Sequence, residues 1–510
     1  MCNNLAHACK TKQKRFLFHT FHPEPTLAFR RLNDIYRIIM RNFINVSIFI
    51  CGMMIGTVQP VVAQDSQPTL LRENLPDRWI YATDMEQTLP GDDLWWKNFN
   101  DPLLDSLINL GIENNFNVLT AMSRMNAAKA RIGQAQAGYY PNIGLNAGYS
   151  KARSAGAIRG SDIPSANSSY FSLGASMRWE IDVFGKIREN VKGSKASYQA
   201  SRADYVAAMV SLTGDIATYY FNLRTFQREL YVTREHLASQ ERVVEIARAR
   251  FEAGLVSKLD VAQALTVYHS TEATIPSLEA SVKQAINAIA ILVGVYPSQL
   301  SARLEAEGRI LEYRQLVPSG VPANLLRRRP DIAAAEYEVA AYAAALGVAK
   351  KDFLPTLAIE GTVGVAAHDA GDLFNKNSFE YSVSPTLSWT LFSGLSRKYA
   401  VAEAREQMRM GIESYNQTVM NAVSEVDDAM IAYSSSLKAI DCYTKVIEQC
   451  DESFHLSVNL YKEGLTPFTN VVDAQINSLT YATSLISSRG QALVNLVSLY
   501  KALGGSPVEQ

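Results

Sequence analysis

The sequence predicts a mainly α-helical chain that also carries membrane β-strands, built as two copies of one large unit. Three observations predict this. Motifs recur about 210 residues apart: Arg250-Phe251-Glu252-Ala253-Gly254-Leu255 returns as Leu460-Tyr461-Lys462-Glu463-Gly464-Leu465, Tyr139-Tyr140-Pro141-Asn142-Ile143 as Phe353-Leu354-Pro355-Thr356-Leu357, and Trp179 as Trp389. Two proline-free runs, Ile187 to Ala253 and Leu395 to Glu463, would each reach roughly 100 Å as helix. Four segments alternate apolar and polar residues, the period-two signature of a strand with one apolar face. A repeat this long is one structural half, since solenoid and propeller units have periods of about 20–50 residues.

At the N-terminus, Met40-Arg41-Asn42 is a short charged start before the apolar run Phe43 to Thr57, and Val61-Val62-Ala63 forms a cleavage site before Gln64. Residues 40–63 are therefore expected to be a signal peptide; the run is shorter than the ~20 residues of a spanning helix. Residues 1–39 would then precede the true start of translation. Bulky Ile48-Phe49-Ile50 ahead of Cys51 predict no lipidation there. Cleavage leaves Cys442 and Cys450, about 12 Å apart along one helix and too distant for a disulfide.

The whole chain has 49 basic and 50 acidic side chains. Its first 63 residues hold eight of the basic and two of the acidic ones, so the remainder carries 41 against 48, a net of −7. Such a chain offers no basic face for phosphates, and nucleic acid is excluded as a partner.

Residues 64–94 read as a polar arm, and the first repeat spans 95–310. Trp95-Trp96-Lys97-Asn98-Phe99-Asn100-Asp101-Pro102 opens a helical segment running to about Gly138, which Pro141 ends. A strand follows at about 142–150, with Ile143, Leu145, Ala147 and Tyr149 apolar; its return at about 170–182 sets Phe171, Leu173, Ala175, Met177, Trp179 and Ile181 on one face. The second repeat, 325–506, keeps this phase in strands at about 356–366 and 379–391. Leu173, Met177, Trp179, Val383, Leu387 and Trp389 are expected to face outward into lipid. The strands match the 9–11 residues a tilted membrane strand needs; the alternative is a soluble sheet resting on a core. Four strands cannot close a barrel, for which about eight is the minimum. An open edge in lipid leaves backbone groups unpaired, so several chains must share one barrel.

Along the helical runs, Tyr205, Met209, Leu212, Ile216, Tyr219 and Leu223 keep coiled-coil spacing, as do Tyr415, Val419, Ala422, Val426, Ala429 and Tyr433. Each rod is expected to end at a glycine turn near Gly254 or Gly464. Returning helices follow from Asp260 to Gly294 and from Asn470 to Leu503, and Pro276 is expected to kink the first. A Pro-marked linker at 311–324 joins the halves.

No catalytic constellation stands out. His236, His269, His368 and His455 lack metal-ligand spacing, the two cysteines lack a Cys-x-x-Cys spacing, and no phosphate-cradling Gly-Lys-Ser/Thr loop occurs. The expectation is a protein that is no enzyme and binds no cofactor.

The run Leu325-Leu326-Arg327-Arg328-Arg329-Pro330-Asp331-Ile332-Ala333-Ala334-Ala335-Glu336, leading into Gly347-Val348-Ala349-Lys350 and Phe353-Leu354-Pro355, resembles the outer-membrane efflux proteins of the TolC superfamily, and most closely their NodT-type branch. Trp95-Trp96, Asp101-Pro102-Leu103, Phe251-x-x-Gly254-Leu255 and Ala502-Leu503-Gly504-Gly505 extend the resemblance over about residues 90–506. It implies a homotrimer whose helical hairpins form an α-barrel tunnel and whose strands form a shared 12-stranded β-barrel. It also implies an exit duct in the outer membrane lipid, working with a periplasmic adaptor (a membrane fusion protein) and an inner-membrane resistance-nodulation-division pump.

In this family the periplasmic end is pinched shut just after the glycine turns. The matching positions are Asp260, Tyr461, Thr466, Asn470 and Asp473; the family prototype has arginine and aspartate where Thr466 and Asn470 stand. Carboxylates of Asp260 and Asp473 facing the axis in three copies would favour cations, while Asp260 and Asn470 could instead simply cap the returning helices. The turns Gly254-Leu255-Val256-Ser257 and Gly464-Leu465-Thr466-Pro467 are the expected adaptor contacts. Two alternatives remain open: a duct for secreted proteins in a type I system, and a periplasmic coiled-coil adaptor.

Overall fold

The computed structural model describes residues 94–154, 166–306 and 328–505. The expected upstream segment, signal peptide, linker 311–324, arm up to residue 93 and Leu325 to Arg327 lie outside the described residues.

The chain enters through a 3-10 turn, Trp95–Phe99, whose aromatic rings are buried. Trp95 stacks on Tyr500 at 5.1 Å and Phe99 meets Phe221 at 4.9 Å. Helix α1, Pro102–Asn114, starts where the Asp101 carboxylate accepts from the backbone N–H groups of Leu103 (2.9 Å) and Leu104 (3.4 Å), with proline at its first position. The other oxygen of Asp101 accepts the Tyr220 hydroxyl. One side chain thus caps α1 and ties it to the long helix behind. The single segment expected to run to Gly138 is broken at Asn115, which caps α2, Phe116–Gln136, and donates to the Leu292 carbonyl at 2.8 Å.

Two 67-residue helices dominate: α3, Lys186–Glu252, and α8, Ser396–Lys462, each roughly 100 Å long. The first return is two helices, α4, Lys258–Glu272, and α5, Ile275–Val293, with Pro276 in the first turn of α5. A proline cannot continue the hydrogen-bond ladder, so one kinked helix became two. The second return has no proline and stays whole as α9, Phe468–Ala502. Short α6, Pro297–Leu304, and Ala-rich α7, Pro330–Lys351, complete the helices, with α7 packed on both long ones.

The main core lies where α1, α3, α5, α8 and α9 meet; Leu104, Ile216, Tyr220, Leu223, Ile289, Tyr433 and Leu496 are nearly inaccessible there. All six seam residues expected on α8 are buried. On α3 the seam slips at one place: Tyr219 is exposed and Tyr220 is buried instead. A strict seven-residue seam drifts around a straight helix, and the Asp101 carboxylate satisfies the hydroxyl that Tyr220 carries inside. Burial, then that hydrogen bond, raises the Tyr220 pKa, keeping the phenol a donor.

Arg329 accounts for the arginine-proline-aspartate run. Buried at the start of α7, it donates to the Ala502 carbonyl (2.8 Å), Asp331 (2.7 Å) and Glu425 (2.7 Å), fastening α7 to both α8 and the end of α9. Burial alone would lower its pKa; the two carboxylates raise it instead.

The strands β1, Asn142–Ser154, β2, Ala166–Ile181, β3, Thr356–Ala367, and β4, Phe379–Ser388, form one antiparallel sheet in that order. β1 and β2 run further into their loop than expected. Lys151 and Arg153 occupy apolar-face positions there and hide the alternation, while the ladder continues to Ser154↔Ala166. β4 is shorter than expected: its last pair is Thr356↔Ser388, next to Pro355, so Trp389 to Leu391 lie past the strand. Trp389 therefore follows β4 rather than lying on it.

Where α9 crosses α3 the backbones approach closely: a Cβ on Gly490 would lie 2.1 Å from the Thr225 hydroxyl. Gly490→Ala is expected to lower stability by about 1–3 kcal/mol, the range for overpacking. Thr225→Ala should restore part of the loss, read as the melting temperature of the detergent-solubilised protein.

Candidate functional site

Two parts of the molecule can do something a packed core cannot: the sheet and the tips of the two helical hairpins. Across the sheet, side chains sort by register. Ile143, Met177, Gly361 and Val383 share one row, followed by Leu145, Ala175, Val363 and Tyr381, then Ala147, Leu173, Val365 and Phe379. This face is apolar, and Leu145 and Tyr381 are 79% and 74% exposed. The expected outward residues Leu173, Met177, Trp179, Val383 and Leu387 all occupy it. The opposite face carries Arg178 beside Glu360, an ion pair at 2.5 Å, and Thr362 bonded to Ser382 at 2.7 Å. β1 and β4 are the two edges, and neither has a second neighbour among the described residues.

Both tryptophans anchor the end of the sheet nearest the helices. The Trp179 indole donates to the Tyr139 carbonyl and the Trp389 indole to that of Phe353, each at 2.9 Å. Each carbonyl lies two residues before a proline, so Trp389 has a role at the junction rather than on the strand.

Both hairpins turn on a left-handed glycine, Gly254 and Gly464, with φ +73 in each. Glycine takes this conformation without a Cβ penalty. Paired bonds close each helix: Gly254 and Leu255 N–H to Phe251 and Arg250 carbonyls, and Gly464 and Leu465 N–H to those of Tyr461 and Leu460. Leu255 and Leu465 point out, 66% and 73% exposed, while Val256 and Thr466 are half-buried.

The tips are fastened to each other. The Tyr461 hydroxyl donates to Asp260 at 3.1 Å, and its ring packs on Phe468 at 4.9 Å. Arg250 lies over the same ring at 4.9 Å and donates to the Lys462 carbonyl. Val243, Val244, Ala247, Ala264 and Val471 pack beneath. Sequence reasoning named Asp260 and Tyr461 and missed Arg250; the available signal was a cation in the last helical turn, where carbonyls lack partners.

Neither Asp260 nor Asn470 is a helix cap. Ser257 caps α4, accepting from Leu259 N–H at 3.1 Å and donating to Asp260 at 3.4 Å, because it alone has the extended backbone of a cap position. Pro467 holds that position before α9, and Asn470 donates instead to the Thr466 hydroxyl at 2.6 Å. Asp473 is exposed and makes no hydrogen bond or ion pair among the described residues. No group of three or more His, Cys, Asp or Glu residues suited to a metal occurs among the described residues.

A sheet with one lipid-compatible face, continued by helices of about 100 Å, defines a membrane protein that reaches far beyond its bilayer. The family model described as outer membrane efflux protein matches residues 107–295 and 321–505, and the chain belongs to that family. Similar proteins include nodulation protein T of Rhizobium leguminosarum bv. trifolii, 27% identical over 81% of this chain and 87% of that protein. The probable efflux pump outer membrane protein TtgC of Pseudomonas putida is 26% identical over 82% and 86%. Among solved structures, the outer-membrane channel OprN is 28% identical with a TM-score of 0.79, covering 84% of this chain and 97% of that one. VceC of Vibrio cholerae, 24% identical with a TM-score of 0.75 over 81% and 99%, shares the fold. The chain is an outer-membrane exit duct of a tripartite efflux system, extending into the periplasm. Members of this class are trimeric channels, not enzymes, and work with adaptors and inner-membrane pumps.

Burial, then the bond to Asp260, pushes the Tyr461 phenol up to about 12. A raised folded pKa means the contribution is complete below the ordinary value of 10.0 and lost as pH rises through about 12. Tyr461→Phe should remove on the order of 1 kcal/mol at every lower pH. Faster amide exchange at Leu255 and Leu465 in the variant, against wild-type protection unchanged up to pH 10, is the expected readout.

Proposed function

We propose that three copies of this chain share one twelve-stranded barrel and continue below it as a twelve-helix tunnel, each copy contributing two structurally equivalent halves. The carrying observation is the four-stranded sheet, with an exposed apolar face and both edges unpaired. In hydrocarbon each unpaired backbone group costs several kcal/mol, and a ring of sheets leaves none. The polar face, with Arg178, Glu360, Thr362 and Ser382, then lines a water-filled lumen.

The proposed periplasmic gate comprises Asp260, Tyr461, Thr466, Asn470 and Asp473. The Tyr461–Asp260 bond supports it, since it fastens the two hairpins of one copy at their tips. Gly254, Leu255, Val256 and Ser257, with Gly464, Leu465, Thr466 and Pro467, are the proposed adaptor contacts, supported by two exposed leucines on rigid turns. The proposed partners are a periplasmic adaptor and a resistance-nodulation-division pump, which supplies energy and selects small-molecule cargo while this chain conducts passively.

Purified protein in a planar bilayer should conduct without any energy source and prefer cations. Asp473→Asn should lower that preference while leaving trimer content unchanged, because an exposed carboxylate at a narrow mouth attracts cations and holds nothing together. Unchanged selectivity in the variant would remove Asp473 from the gate.

A further inference from the structure

The hairpins β1–β2 and β3–β4 carry one register written twice. The pair Asn142↔Arg178 corresponds to Thr356↔Ser388, 214 residues on in the first strand and 210 in the second. The same two offsets carry the Trp179–Tyr139 bond onto the Trp389–Phe353 bond. Within one chain the two hairpins meet at β2–β3, where Met177 faces Gly361, Gly174 faces Gly364 and Ser172 faces Ala366.

In a closed barrel, strand tilt and stagger are linked. Equivalent hairpins therefore keep one tilt around the ring only if every junction between them has the same stagger. The junction not contained in a single chain joins β4 of one copy to β1 of the next, and the two offsets convert β2–β3 directly into it.

We propose that β4 pairs antiparallel with β1 of the next copy with Leu387 opposite Ala147, Ser384 opposite Ser150 and Ser382 opposite Ala152. The inference rests on the shared barrel proposed above and specifies how its subunits join. Side-chain parity supports it: Leu387, Pro385 and Val383 fall in the rows of Ala147, Tyr149 and Lys151, on the face that carries the apolar side chains, while Ser382, Ser384 and Thr386 fall with Ala152, Ser150 and Gly148. A slip of one residue would turn every apolar side chain of β4 toward the lumen, so the competing registers are slips of two. Pro385 has no N–H and forfeits one ladder bond, yet the β3–β4 register runs through it unbroken.

Directly opposed residues in an antiparallel pair lie about 4.5–5.5 Å apart at Cα, within disulfide reach, and a slip of two moves them beyond the usual range. The test compares Ser382→Cys/Ala152→Cys with Ser382→Cys/Ser150→Cys and Ser382→Cys/Ser154→Cys, each oxidised in outer membranes. Single-cysteine variants account for the native thiols. The expected result is a shift of the monomer band to covalent dimer and trimer for 382/152, with the other two pairs at the single-cysteine level. Dominant linkage of 382/150 or 382/154 would overturn the register and leave the shared barrel standing. No linkage from any pair in a trimer of normal mass would overturn the β4–β1 junction. No linkage together with a monomeric mass in detergent would overturn the shared barrel itself.

Discussion

Hydrocarbon offers no hydrogen-bond partner to a backbone N–H or C=O, and the rest of this architecture depends on that constraint. One chain supplies four strands and therefore two open edges. In the proposed barrel its apolar face, exposed in the isolated chain, is the lipid contact and its polar face the wall of an aqueous path. A soluble protein would need a second layer over Leu145, Tyr381 and Val383; none of the described elements covers them.

The same economy explains the junction with the helices. Pro141 and Pro355 end the incoming helical segments, and each tryptophan that closes a hairpin donates its indole N–H to a carbonyl left free by that interruption. An indole is suited to such a boundary, with an apolar body and one donor. Below, Asp101, Tyr220 and Arg329 perform the equivalent task for charged and polar groups in the core. The Asp101–Tyr220 bond and the bonds of Arg329 hold the helices together where α1, α3, α7, α8 and α9 meet. At the far end the Tyr461–Asp260 bond joins the hairpins through a buried phenol and a half-exposed carboxylate.

Much of this architecture was legible in the sequence because it is periodic. The proline-free runs became α3 and α8, and alternation located four strands to within a few residues at most ends. Periodicity failed where chemistry replaced it. Lys151 and Arg153 hid the outer end of β1, Trp389 was placed on a strand it only follows, and Tyr220 took the core position expected for Tyr219 because Asp101 waits for its hydroxyl. At the tips the sequence pointed to Asp260 and Tyr461 by resemblance, yet the capping it offered as an alternative for Asp260 and Asn470 falls to other positions, Ser257 and Pro467, and Arg250 was not revealed. The partners of Arg250 lie about 210 residues away in the sequence, so a cation in the last turn marks the position without naming what it meets.

The central claim is that several copies close one barrel. Its most direct test is native mass in detergent of protein extracted from the outer-membrane fraction. A single species of three chains, dependent on detergent for solubility, is the predicted result. A monomer stable in detergent, or a chain recovered without detergent, would contradict it.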